Sequence, residues 1–93
     1  MIVTFKSKET ENLYNGLFNK KIPTDIKKKA LIKLLEIDAA LDIQDLETPY
    51  SNKLESLKGN RLGYYSIRIN KQWRICFKWH SGNAYDVEIV DYH

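Results

Sequence analysis

One cysteine and two histidines are all that this 93-residue chain offers of the usual soft ligands. A lone Cys76 excludes an internal disulfide. Cys76 with His80 and His93 makes no ligand set at zinc spacing, so no metal centre is expected. No apolar run approaches the ~20 residues that a membrane span needs. No repeat, low-complexity tract or linker divides the chain, and its length suits one domain over residues 1–93. The N-terminus opens on an alternating segment and does not read as a secretory leader. Together these absences point to a reducing cytoplasm, with neither a membrane nor a metal as partner.

What is present is a modest apolar fraction, 43%, and 29% charged residues, enough for a small core in a soluble protein. The charge is unevenly placed. Residues 1–52 hold eight Lys/Arg and eight Asp/Glu. Residues 53–79 hold seven Lys/Arg (Lys53, Lys58, Arg61, Arg68, Lys71, Arg74, Lys78) against Glu55 alone. A basic block of this kind suits a polyanion.

The pattern along the chain predicts an α+β fold. Two N-terminal helices pack on a twisted, mainly antiparallel sheet in the order β-α-α-β-β-β-β. Residues 1–5 are β-branched and read as the first strand. Ser7 is placed to N-cap a helix whose stripe is Leu13, Leu17 and Phe18, and residues 19–23 form a basic connector. Thr24 is the expected N-cap of the second helix, with Asp25 at its positive end. Ile26, Ala30, Leu34, Ile37 and Leu41 form its stripe, widened by Leu31 and Leu35. Lys27, Lys28, Lys29 and Lys33 fall mostly on the wet side. Residues 42–52 read as a loop with one helical turn at 43–46. Turns at 59–63, 70–72 and 81–83 then separate strands at 53–58, 64–69, 73–80 and 84–91, with a bulge or bend in the first of them.

Side-chain alternation sets the register. A loop at 70–72 pairs Ile69 with Trp73, Ile67 with Ile75 and Tyr65 with Phe77 on one face. Arg68 then faces Arg74, Ser66 faces Cys76 and Tyr64 faces Lys78 on the other. A loop at 81–83 pairs Trp79 with Tyr85, Phe77 with Val87 and Ile75 with Ile89. It sets Lys78 against Asp86, Cys76 against Glu88 and Arg74 against Val90, and Tyr92 shares the Arg74 face. A loop at 59–63 brings Lys58 opposite Tyr64. One face thus gathers Lys58, Arg68, Arg74, Lys78, Tyr64 and Tyr92, while Trp73, Phe77, Trp79, Tyr65 and Tyr85 belong to the core. Asp86 and Glu88 would neutralise Lys78. Arg74 has no acid directly opposite, and with Arg68 it presents two guanidinium forks suited to a phosphate. Tyr64 and Tyr92 are the stacking candidates. His93 has a side chain able to move protons near neutrality, with Asp91 placed to hold it.

These residues also form a recognisable pattern. The runs Leu57-Lys58-Gly59-Asn60-Arg61, Gly63-Tyr64-Tyr65-Ser66-Ile67-Arg68-Ile69-Asn70, Gln72-Trp73-Arg74-Ile75-Cys76-Phe77 and Ala84-Tyr85-Asp86-Val87, with the ending Asp91-Tyr92-His93, resemble the HigB group of the RelE/ParE toxin superfamily. The close match covers the last ~40 residues; the helices agree in layout and length. The resemblance implies a toxin that cleaves mRNA in the ribosomal A site without metal or other cofactor. Its partners would be a helix-turn-helix, HigA-like antitoxin, the ribosome and mRNA. By motif position Lys58 and Arg74 become phosphate and transition-state contacts, and Asp91, Tyr92 and His93 a catalytic cluster. Arg61, Arg68, Tyr64 and Lys78 are expected to bind RNA. Members reading His-Pro-Leu-Lys-Gly differ from Glu55-Ser56-Leu57-Lys58-Gly59 here, which leaves Glu55 or His93 as the base. The alternatives are a non-catalytic ParE-like inhibitor of gyrase and a simple nucleic-acid-binding module.

Overall fold

The computed structural model describes residues 1–17 and 20–92. Helix α1 (Lys8–Tyr14) starts where Ser7 accepts the Thr10 N–H on its side-chain oxygen at 3.2 Å. Thr10, almost fully buried, accepts from the Ser7 hydroxyl at 2.7 Å and from the Ile89 N–H at 2.9 Å. One threonine therefore ties the helix start to the sheet. Leu13 is buried, but Leu17 lies beyond the helix and is exposed. Phe18, Asn19 and His93 fall outside the described residues.

Helix α2 (Thr24–Ala39) begins one residue earlier than expected. Pro23 takes the N-cap position and Thr24 is the first helical residue, consistent with the proline's fixed φ and missing N–H at a helix start. Ile26, Ala30, Leu34 and Ile37 are buried as the stripe requires. The helix stops at Ala39, so Leu41 is 79% exposed, and Leu35 also faces outward.

Lys33 departs furthest from its expected wet position. It is buried, and its Nζ donates to Asn52 Oδ1 at 2.6 Å and lies 3.5 Å from Glu36. Asn52, fully buried, in turn donates from Nδ2 to the carbonyls of Leu46 (3.1 Å) and Thr48 (3.4 Å) and to Glu36 (3.2 Å). This network fastens the two 3₁₀ turns at Ile43–Glu47 and Tyr50–Asn52 to α2. The next residue, Lys53, has φ +46°, a left-handed conformation that bends the chain into the sheet.

The sheet runs β1 (Glu55–Ser56), β2 (Tyr64–Arg68), β3 (Trp73–His80), β4 (Asn83–Asp91), each antiparallel to the next. The β2–β3 register is the expected one at all five pairs from Tyr64↔Lys78 to Arg68↔Arg74. Apolar burial decides it. Ile67 and Ile75 are fully buried, each contributing on the order of 2 kcal/mol. Placing Arg68 opposite Arg74 costs only tenths of a kcal/mol to about 1.

The β3–β4 hairpin differs. Its loop is two residues, Ser81 and Gly82, both at positive φ (50° and 79°), as a primed hairpin turn demands. Trp79 therefore meets Ala84, and Tyr85 meets Lys78 on the cationic face instead of joining the core. A bulge then restores the expected pairs Cys76↔Glu88, Ile75↔Ile89 and Arg74↔Val90. Asp86, at φ +53°, is the extra residue.

The same bulge explains why residues 1–5 do not form a continuous strand. They run parallel to β4 with isolated bridges at Ile2↔Ala84 and Phe5↔Val87, one on either side of the bulge. Between them the Asp86 N–H donates to the Thr4 hydroxyl at 2.8 Å. Helices and sheet enclose a core centred on Phe77, with Leu34, Ile37, Ile67, Ile75 and Val87. Phe77 packs against Tyr65 and Trp79.

Asn52→Ala would strand the buried Lys33 ammonium and several carbonyls. The expected loss is about 2–4 kcal/mol of stability, seen as a fall of at least 10 °C or so in Tm for a chain this size. A thermal melt within a few degrees of wild type would show that the network carries no such weight.

Candidate active site

Arg74 lies on the sheet face away from the helices, yet only 7% of it is exposed. Burying an unpaired guanidinium costs several kcal/mol, and the surroundings remove that penalty. Nε donates to Ser66 Oγ at 2.9 Å. Nη2 donates to the Lys53 carbonyl at 2.6 Å and the Ser66 carbonyl at 3.2 Å. Nη1 lies 3.4 Å from Glu55 Oε1, and the Tyr92 ring covers the guanidinium at 5.8 Å. Glu55 reaches Arg74 because β1 pairs it with Ser66, Arg74's neighbour across β2. As expected, no acid lies directly opposite Arg74, whose cross-strand partners are Arg68 and Val90; its carboxylate comes from the next strand but one. Nor is Arg74 a free fork, since Nε and Nη2 donate to the protein's own oxygens and Nη1 is ion-paired with Glu55.

Above Arg74 opens a cavity of about 320 Å³, lined by Lys53, Glu55, Arg68, Asn70, Lys71, Arg74 and Tyr92. Four cations face one carboxylate. Asn70 accepts the Gln72 and Trp73 N–H groups on Oδ1, both at 2.8 Å, which shapes the turn that presents Lys71. Gln72 accepts the Tyr92 N–H at 2.6 Å on its carbonyl, and its side-chain amide donates to Asp91 at 3.2 Å. The chain end is clamped to the β2–β3 turn, so Tyr92 is held over the cavity.

Of the expected site residues, the cavity collects Glu55, Arg68, Arg74 and Tyr92. Lys58 does not line it. The turn after β1 is one residue longer than expected, so Leu57, not Lys58, bonds opposite Tyr64 at 2.8 Å. Lys58 is exposed at the edge of a 3₁₀ turn, Gly59–Arg61. Asp91 pairs with Trp73 and takes the opposite parity to Tyr92. Arg61 lies over the Tyr64 ring at 5.6 Å. The Tyr64 hydroxyl donates to Asp86 at 3.1 Å, and this bond, with some burial, raises its pKa. Asp86 therefore partners Tyr64 where Lys78 was expected, and Glu88 partners Lys6 at 3.8 Å. Lys78 lines a separate cavity with Thr4, His80, Tyr85 and Asp86. Lys53, Asn70 and Lys71 were not singled out from the sequence. The signal for Lys53 and Lys71 was only their membership in the basic block; for Asn70, its place in a turn.

A HigB-like toxin family profile, described as RelE-like toxin of type II toxin-antitoxin system HigB, matches residues 3–93. The chain belongs to this family of toxins. It is similar to Toxin HigB-1 of Vibrio cholerae serotype O1, with 40% identity over 85 residues and 90% of each chain covered. It is 36% identical over 93 residues to Endoribonuclease HigB of Proteus vulgaris, with both chains covered in full. The YoeB-YefM complex from Staphylococcus aureus contains a chain of the same fold. The TM-score is 0.62 at 24% identity, over 100% of this chain and 98% of that one. Membership of a toxin-antitoxin family gives the chain an antitoxin as partner.

Within this toxin Cys76 sits on the site face beside Arg74 but is buried, and burial pushes its thiol up from the ordinary range. It stays protonated at neutral pH. Stability is unaffected below the ordinary thiol range and falls as pH rises above it, because the unfolded chain releases that proton first. Cys76 should react with a thiol reagent only on unfolding; rapid labelling of the native toxin would contradict its burial. Arg74→Ala should lower stability by about 2–4 kcal/mol in urea melts. Arg74→Lys should recover only part of this, since one ammonium lacks the planar fork that meets both Ser66 and Lys53. Full stability of either variant would remove Arg74 from its structural place.

Proposed function

We propose that this toxin is an endoribonuclease that cleaves mRNA presented in the ribosomal A site, without a metal ion. The observation that carries the reading is the cavity built over Arg74, where three further cations meet a carboxylate and a tyrosine. Phosphodiester cleavage by the neighbouring ribose 2′-hydroxyl needs a base, stabilisation of added negative charge, and an acid for the leaving oxygen. Glu55 opens to the cavity, steered by Arg74 at 3.4 Å. It is the base, or His93 shares that role. Arg74 is a fixed positive charge in the cavity wall. Lys53, Arg68 and Lys71 carry no ion pair among the described residues, and they take the phosphate oxygens. Tyr92 positions or protonates the leaving 5′-oxygen. Asp91, held by Gln72, fixes the chain end. Lys58, Arg61, Tyr64 and Lys78 extend the basic surface along the RNA or toward the ribosome.

The partners of this reading are mRNA, the ribosome, and a HigA-like antitoxin with a helix-turn-helix, all in the cytoplasm. None of the described helices is long and apolar enough to cross a membrane. The Proteus vulgaris relative named an endoribonuclease supports the catalytic reading over a gyrase inhibitor or a plain binding module.

Brief expression followed by primer extension on mRNA should give discrete cuts within codons; intact mRNA during growth arrest would overturn the reading. Arg68→Ala, at a partly exposed residue, should slow cleavage about 10- to 100-fold with little change in stability. Tyr92→Phe keeps the ring over Arg74 and removes only the hydroxyl. It should lower kcat about 100-fold if that hydroxyl is the acid. A wild-type rate for Tyr92→Phe would assign the acid elsewhere.

A further inference from the structure

A second cavity of about 420 Å³ adjoins the first, lined by Glu47, Tyr50, Lys53, Leu54 and Glu55. Lys53 and Glu55 line both cavities, so the two share a wall. Their chemistry differs. The first has four cations to one carboxylate; the second has one cation, two carboxylates, an aromatic ring and a leucine. That composition is poor for a phosphate and good for a nucleobase.

The ring at its edge is unusually available. Tyr50 is 81% exposed, among the largest exposures of any apolar or aromatic side chain described. It is nevertheless held in place. It begins the 3₁₀ turn Tyr50–Asn52, its carbonyl accepts the Lys53 N–H at 3.1 Å, and the turn ends on fully buried Asn52. Lys53 Nζ lies over one face of the ring, 4.2 Å from its centroid, and the ring's high exposure leaves the other face open. An aromatic face on a rigid turn is a stacking platform for any base. Carboxylates nearby accept hydrogen bonds from exocyclic amines, which adenine, cytosine and guanine carry and uracil lacks.

We propose that Tyr50, Lys53 and Glu47 form a nucleobase subsite for the nucleotide adjoining the scissile phosphate, stacking its base on Tyr50 and favouring amine-bearing bases over uracil. This deepens the endoribonuclease reading and rests on it. Lys53, shared by both cavities, lies between the phosphate in one and the base in the other.

The test is cleavage of a panel of mRNAs differing at the nucleotides flanking the cut, on reconstituted ribosomes. Tyr50→Ala should raise KM about tenfold or more with little change in kcat, while Tyr50→Phe and Tyr50→Trp stay near wild type because only the ring is needed. Glu47→Gln should reduce the discrimination against uracil. If Tyr50→Ala cuts every RNA with the wild-type KM, the subsite is wrong and the nuclease reading stands. If Tyr50→Ala loses only affinity for the antitoxin, the platform serves a protein and the subsite is likewise wrong. If wild-type toxin cuts no RNA, both readings fall together.

Discussion

A buried arginine on the outer face of a sheet is an expensive arrangement, and most of the site geometry follows from how its charge is accommodated. Arg74 is held by the side chain and carbonyl of Ser66 on the adjacent strand, the carbonyl of Lys53 in the preceding loop, and the carboxylate of Glu55 on the edge strand. These groups come from two stretches of chain, residues 53–55 and strand β2. A guanidinium can bind all of them at once because its donors lie in one plane and point in different directions. The same interactions resolve the apparent conflict of Arg68 facing Arg74. Arg74's charge is met from within the protein, so only Arg68 is left to seek an external anion.

The helical layer reaches this site through a short chain of contacts. Lys33 on α2 bonds Asn52; Asn52 secures the turn before Lys53; Lys53, in a left-handed conformation, turns its carbonyl to Arg74. None of these links uses the apolar core directly, yet each is buried or partly buried. Polar networks in a low-dielectric setting are strong when complete and unfavourable when broken. Here the completed network sets the position of a backbone oxygen beside the cationic cavity. On the opposite side, Gln72 performs a comparable task by holding the Tyr92 backbone and the Asp91 carboxylate.

The parts legible in the sequence are those where burial forces a single answer. The β2–β3 register could be read because a one-residue slip would carry Ile67 and Ile75 out of the core, and that decided which face holds Arg68, Arg74 and Tyr92. The β3–β4 register was less legible. Alternation does not reveal that Ser81 and Gly82 both adopt positive φ, or that Asp86 will absorb the resulting offset. Lys58 was misplaced for a similar reason: a glycine-rich turn does not disclose its length to within one residue. Lys33 and Asn52 escaped because periodicity ranks residues by hydropathy, and a lysine on a buried helical face is recognisable only once its asparagine partner is in view. Leu41 and Leu17 were assigned to apolar stripes that their helices end too early to complete.

If the proposed reading holds, the charge layout of the two adjoining cavities also constrains how RNA is oriented. Unit charges 4 Å apart interact by about 1 kcal/mol in water and about 4 kcal/mol at an effective dielectric of 20. A phosphate placed beside Glu47 and Glu55 in the second cavity would meet repulsion of that order, relieved only by Lys53. In the first cavity Glu55 repels the same phosphate, but Arg68, Lys71, Arg74 and Lys53 outnumber it and the net effect is attraction. A base contributes little net charge in either place; Tyr50, 81% exposed, offers a more open ring than Tyr92, which is 42% exposed and packs on the Arg74 guanidinium. On the proposed endoribonuclease reading, charge therefore favours phosphate over Arg74 with the base over Tyr50. On that reading the contrast between a cationic cavity and an aromatic, partly acidic one would orient a bound nucleotide without a sequence-specific groove.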